Sequence, residues 1–153
     1  EDVGNADPFA LRFALGAMEA FRFLGHPEGD LALAQAAVYL ATAPKSNSIY
    51  RAWTSAQKVA RETGGLAVPL HIRNAPTGLM KDLGYGDGYR YAHDSQEAFV
   101  DQVYLPDAIA GTRIYRPSER GYEKMIATRL KHWQELRRKT SRKPAQPRPA
   151  DAQ

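Results

Sequence analysis

The chain has 153 residues, 43% hydrophobic and 25% charged, with a formal net charge of +4. That is length for one core, which at this size hides about 70% of the surface the unfolded chain exposes. No apolar run approaches the ~18 residues of a membrane span, so a transmembrane chain is excluded. The sequence contains no cysteine, which excludes disulfides, thiolate nucleophiles and cysteine-based zinc sites and makes a reducing compartment the expected setting. Residue 1 is a glutamate with no basic n-region or apolar h-region after it, an opening expected of an excerpt from a longer chain rather than of a signal-bearing precursor.

The elements read as all-α. Asp7 is placed to accept hydrogen bonds from free amides and Pro8 suits a first turn, so a helix is predicted over residues 8–24, stopped at Gly25. Its polar positions Arg12, Glu19 and Arg22, with Gly16, make one narrow stripe and leave roughly two-thirds of the circumference apolar. A second helix, 27–43, is alanine-rich and uncharged from Leu31 to Ala43. Two such broad apolar surfaces have two accounts. Part of the surface faces another subunit, with Ala32, Ala36 and Tyr39 as candidate contacts, or the pair forms a closely packed alanine-rich hairpin.

A third helix, 47–63, sets Ile49, Ala52, Trp53, Ala56, Val59 and Ala60 against a charged face of Arg51, Lys58, Arg61 and Glu62, and ends at Gly64-Gly65. Short helices are predicted over 69–74 and 77–83. Glycine, tyrosine and proline then break periodicity from 84 to 116, leaving loops, a short helix over 95–103 and a small hairpin. The last helix is predicted from 118, with the stripe Tyr122, Met125, Ile126, Leu130, Trp133 and Leu136. Past it, a proline-containing segment without large apolar residues cannot offset its ordering entropy. The reading therefore divides the chain into a helical domain, 1–136, and a basic flexible tail, 137–153.

Charge follows the same division. Residues 129–148 hold eight bases and one acid, whereas residues 1–128 hold thirteen bases and fifteen acids. A basic tail is expected, with Arg137, Arg138, Lys139, Arg142 and Lys143 as candidate phosphate contacts, and no folded basic face.

Most catalytic patterns fail. No two of His26, His71, His93 and His132 stand at i, i+3 or i, i+4, so structural or surface roles are expected rather than metal ligation. The run Gly84-Tyr-Gly-Asp-Gly88 lacks the Gly-Lys-Ser/Thr of a phosphate loop and reads as a turn cluster. No Gly-x-Ser-x-Gly elbow occurs, Asp94 beside His93 has no nucleophile, and Asp82, Asp87 and Asp94 form no demonstrable acid/base pair. The segment 43–47 is the most informative. Lys45, Ser46 and Asn47 precede the amides of the third helix, where the dipole favours a phosphate or a partner carboxylate; alternatively Pro44 ends one helix, Ser46 caps the next and Lys45 is solvated. Asn74 to Thr77 reads as a helix stop followed by a Thr77 cap. Tyr85, Tyr89 and Tyr91 either stack nucleobases or pack the irregular loop over the helices.

Taken together, "EDVGNADP", "ALAQAAVYLATAPKSNSIYRAW", "VPLHIRNAPTGLMKDLGYGDGYRYAHD" and "YLPDAIAGTRIYRPSERGYEKMIATRLKHW" resemble the C-terminal domain of the MgsA/RarA family of replication-associated recombination AAA+ ATPases, related to the Werner helicase interacting protein. The resemblance covers residues 1–133. It implies a compact helical domain related to the clamp-loader collar and a role in homotetramer assembly. It also implies a cytoplasmic, nucleoid-associated parent protein acting on DNA at stalled forks, with replication proteins as candidate partners. ATP and magnesium would belong to the parent, N-terminal to this region; no Walker A sequence occurs here, so no catalytic residue and no cofactor site is carried over to this chain. An auxiliary DNA-binding module acting through the basic tail is the alternative. The purified chain is expected neither to bind ATP tightly nor to turn it over; steady hydrolysis that survives repurification would contradict this.

Overall fold

The computed structural model describes residues 2–94 and 99–141. It contains α1 (Ala10–Leu24), α2 (Glu28–Thr42), α3 (Ser48–Thr63), α4 (Gly78–Asp82) and α5 (Glu123–Ser141), with 3-10 turns at Gly4–Ala6, Leu70–Ile72, Ala92–Asp94 and Asp107–Ile109. Among the described residues there is no strand, and the fold is all-α as expected. No described helix is long and apolar enough to cross a membrane. Where the sequence predicts one domain, the chain divides into two compact units, Glu1–Gly65 with Thr112–Thr128, and Leu66–Gly111 with Arg129–Gln153.

In the first unit α1 and α2 pack directly on each other. The contact is made by small residues: Ala17 and Ala36 are buried, and a Cβ on Gly29 would stand 2.9 Å from the Phe21 Cα. Helices approach this closely only where side chains are absent or are single methyl groups. The alanine-rich hairpin therefore exists, and it uses the inner faces only. The buried apolar residues among those described are Ala6, Ala10, Ala17, Ala36 and Val100, none with a long side chain. Large apolar residues lie outside: Trp53, on the face of α3 that periodicity assigns to a core, is 63% exposed.

The second unit is built from turns. Thr77 caps α4 as predicted, its Oγ1 accepting the Met80 amide at 3.3 Å. The glycine-rich run is a turn cluster, with Gly84, Gly86 and Gly88 all at positive φ. The expected helix over 69–74 shrinks to one 3-10 turn after Pro69. No hairpin forms among the described residues; the Arg90 amide donates to the Gln102 side-chain Oε1 at 2.9 Å. The helix predicted over 95–103 lies partly outside the described residues, and 99–103 is not helical. Tyr85 packs beneath Arg73, which donates to its hydroxyl at 3.1 Å, whereas Tyr89 and Tyr91 are more than half exposed.

Two boundaries move. The last helix begins at Glu123 rather than 118, because residues 119–122 bend and turn with Gly121 at φ +52°. It also runs through Ser141, so Arg137, Arg138 and Lys139, expected in a flexible tail, are helical. Lysine and arginine are good helix formers and favour the negative end of the dipole. Arg137 is further held by Asp101 at 3.4 Å and lies over the Phe99 ring. The remainder of the expected tail, with Arg142 and Lys143, is outside the described residues.

Gly29→Ala forces the α1–α2 contact apart and is expected to cost on the order of 1–3 kcal/mol. A denaturation midpoint equal to that of the parent chain would contradict the close approach.

Candidate functional site

The most buried sizeable side chain described is a carboxylate. Glu123 opens α5 and is 0% exposed. Its Oε2 accepts Ser46 Oγ at 2.7 Å, Ser48 Oγ at 3.2 Å, the Ser118 amide at 2.7 Å and the Ser118 hydroxyl; its Oε1 accepts Tyr115 OH at 2.7 Å. An ion so enclosed is tolerated only when donors replace its water. Burial pushes the Glu123 carboxyl upward, and the bonds from the Ser118 hydroxyl, Tyr115, Ser46 and the Ser118 amide outweigh that and bring it down to about 2. Tyr115 moves the other way: burial, aided by the neighbouring carboxylate, raises its phenol.

These donors come from separated stretches, and the chain entering them is equally constrained. The Ser46 amide donates to Asp2 O at 2.7 Å, and the Tyr122 amide to Ala6 O at 2.8 Å. A Cβ on Gly121 would meet Ala6 O at 2.1 Å, so this turn accepts glycine alone.

Segment 43–47 thus differs from both alternatives. The start of α3 does hold an anion, but it is the chain's own Glu123. Asn47, not Ser46, is the N-cap of α3 and it makes no side-chain cap bond; Ser46 Oγ accepts the Ser48 amide at 3.3 Å in a local turn and gives its proton to the carboxylate. Lys45 is not merely solvated: its Nζ donates to Leu40 O. Lys45 and Asn47 line a cavity of about 480 Å³ with Asp2, Ser46, Arg51, Ser118 and Arg120. A neighbouring cavity of about 300 Å³ shares Arg51 and adds Arg113 and Arg116. The expectation that the folded body carries no basic face therefore fails. Counting charge along the chain could not register that cations more than sixty residues apart converge.

The candidate interface residues lie as follows. Ala36 is 6% exposed and Ala32 half-buried. Tyr39 stacks against Phe13 with ring centroids 4.5 Å apart and donates its hydroxyl to Asp7, whose carboxylate holds the phenol above its ordinary value. Ala36 and Tyr39 thus make contacts within the chain. The outward stripe of α2 is Leu31, Ala34, Val38 and Ala41, all exposed. Of the histidines, His26 pairs with Asp30 and His71 Nε2 contacts Val103 O at 2.7 Å. No group of three metal-ligating side chains occurs among the described residues.

The Glu123 carboxylate is satisfied by the chain's own donors, and the likeness of the chain to known proteins places it. The family described as MgsA AAA+ ATPase C terminal matches residues 1–134, and this chain belongs to it. The chain is 53% identical over 137 residues to the replication-associated recombination protein A of Coxiella burnetii, covering 89% of this chain and 31% of that protein. It is 53% identical over 131 residues to the protein of the same name from Escherichia coli K12, covering 85% and 29%. Against the ATPase WRNIP1 of Dictyostelium discoideum it is 43% identical over 116 residues, covering 75% and 13%. The chain thus spans less than a third of each of these relatives.

The acid stability of the fold tests the carboxylate site. A carboxyl held at about 2 against an ordinary 4.5 contributes stability that is complete above pH 4.5 and is lost as pH falls toward 2, about 3 kcal/mol in all. Glu123→Gln should therefore be less stable than the parent at neutral pH, with the gap closing on acidification. A gap independent of pH would show that Glu123 does not titrate in this way.

Proposed function

We propose that this chain is the self-association module of a replication-associated AAA+ ATPase and assembles it as a homotetramer. The carrying observation is the uncharged stripe Leu31, Ala34, Val38 and Ala41 on the outer face of α2, in which Leu31 is 74% and Val38 66% exposed. Spacings of three, four and three align these residues along one side of the helix, the pattern by which one helix seats another. Phe9, Leu11, Phe23 and Trp53, each at least 63% exposed, extend the uncovered apolar surface. Full burial of such side chains stabilises by about 1.5–3 kcal/mol each, while the buried apolar set among the described residues is four alanines and one valine. A second copy of the chain supplies what the fold omits.

The longer protein, on this reading, is a DNA-dependent ATPase of replication and recombination whose nucleotide and magnesium are held outside these residues. The names of the relatives, a replication-associated recombination protein and an ATPase, support that reading.

Light scattering from low to high micromolar concentration is expected to give the mass of a tetramer. Val38→Glu should weaken assembly at least tenfold with helical content intact, because Val38 contributes little to the chain's own packing. A monomer at every concentration would overturn self-association, and a Val38→Glu tetramer of unchanged strength would remove the α2 stripe from it.

A further inference from the structure

The cations around the start of α3 are left unused by self-association. Lys45, Arg51, Arg113, Arg116 and Arg120 come from the α2–α3 loop, the first turn of α3 and the segment before α5, and all belong to the first compact unit. All five are exposed. None is in an ion pair with a described acid. They line two cavities that meet at Arg51, and the smaller of these has no acidic lining residue at all. The only acid lining the larger is Asp2.

We infer that this face binds the phosphodiester backbone of nucleic acid, without reading its sequence. Several features of the site converge on that ligand. The five cations outnumber the carboxylates of Asp2 and Glu123 beside them, and an arriving polyanion relieves the repulsion that remains. Four of the five are arginines, whose planar fork matches phosphate oxygens in pairs. The charges are spread over two joined cavities rather than focused on one point, which suits successive phosphates of a polymer better than one small anion. The lining contains no aromatic ring, so no platform for base stacking accompanies the charges. An acidic protein segment would also bring apolar side chains needing seats, and Ile114 is the one large apolar residue in either lining.

The buried carboxylate explains how so many cations share a small area. Ser46 and Ser118 line the larger cavity and Ser48 the smaller, and all three bond Glu123. Glu123 is thus a positioning residue: it fixes the loop carrying Lys45 and the segment carrying Arg113, Arg116 and Arg120 in one geometry. Arg120 is tied in further by its donation to Lys45 O at 3.3 Å. The site does not depend on whether the chain self-associates.

The test is a salt titration of the full chain on a fluorescent DNA duplex of random sequence, read by anisotropy. Each phosphate that the protein ceases to neutralise makes the log-log salt slope shallower by about 0.9. The triple variant Arg51→Gln/Arg113→Gln/Arg116→Gln should therefore lower the slope by about 2 to 3 and the affinity at least tenfold. A second variant of the whole chain, Arg142→Gln/Lys143→Gln/Arg148→Gln, leaves all five of these cations in place and should retain most of the affinity. If the triple variant loses helical content, Arg113→Gln and Arg116→Gln singly should each lower the slope by about one. Changing the duplex sequence should leave affinity within a factor of about two. Binding unaltered by the α3-face substitutions, or abolished by the substitutions at 142, 143 and 148, would overturn the proposal. So would polyglutamate of matched length binding as tightly and losing affinity equally in the triple variant, because the face would then recognise acidic protein.

Discussion

The first compact unit depends on one buried carboxylate. Glu123 is enclosed by donors from Ser46, Ser48, Tyr115 and Ser118, contributed by the loop before α3, the start of that helix and the segment leading into α5. A hydrophobic contact of the same area would tolerate sliding, since it is non-directional. A desolvated anion does not: each donor must stand at hydrogen-bonding distance or the cost of burying the charge returns. The site therefore locks the register of stretches distant in sequence. The close passage of Gly121 over Ala6 and of Gly4 over Ser46 follows from the same constraint, with glycine at both crossings because any side chain would meet backbone.

This polar lock stands where most domains have apolar bulk. The α1–α2 contact is made by alanine and glycine, and the large apolar side chains are turned outward. Such an arrangement leaves uncovered on the outside the kind of apolar surface that most domains hide in a core. The chain belongs to the C-terminal family of MgsA AAA+ ATPases, and self-association is the use we propose for that surface.

The outward apolar surface and the basic face occupy different parts of the same unit. α2 carries no charge beyond Glu28 and Asp30 in its first turn, while the residues beginning α3 and preceding α5 carry the converging arginines. Assembly would repeat the basic face once per copy, and repeated weak phosphate contacts raise avidity without requiring base readout.

By itself the sequence determined the local facts. Periodicity located α1, α2 and α3 to within two residues at each end, Gly25 and Gly64 marked the stops of α1 and α3, Thr77 announced its cap, and the ordered blocks of residues disclosed the family. These depend on neighbours within a turn or two, and so are written in adjacent letters. Tertiary structure alone decided which broad apolar faces of α1 and α2 turn inward, leaving Ala36 inside and Val38 outside although both are apolar. It decided that Ser46 answers Glu123, seventy-seven residues away, rather than an external anion. It also gathered Lys45, Arg51, Arg113 and Arg116 into a basic face that a count along the chain, net negative over residues 1–128, had concealed. Coulomb and hydrogen-bond energies depend on distance in space, and only the fold converts separations of sixty residues and more into contact.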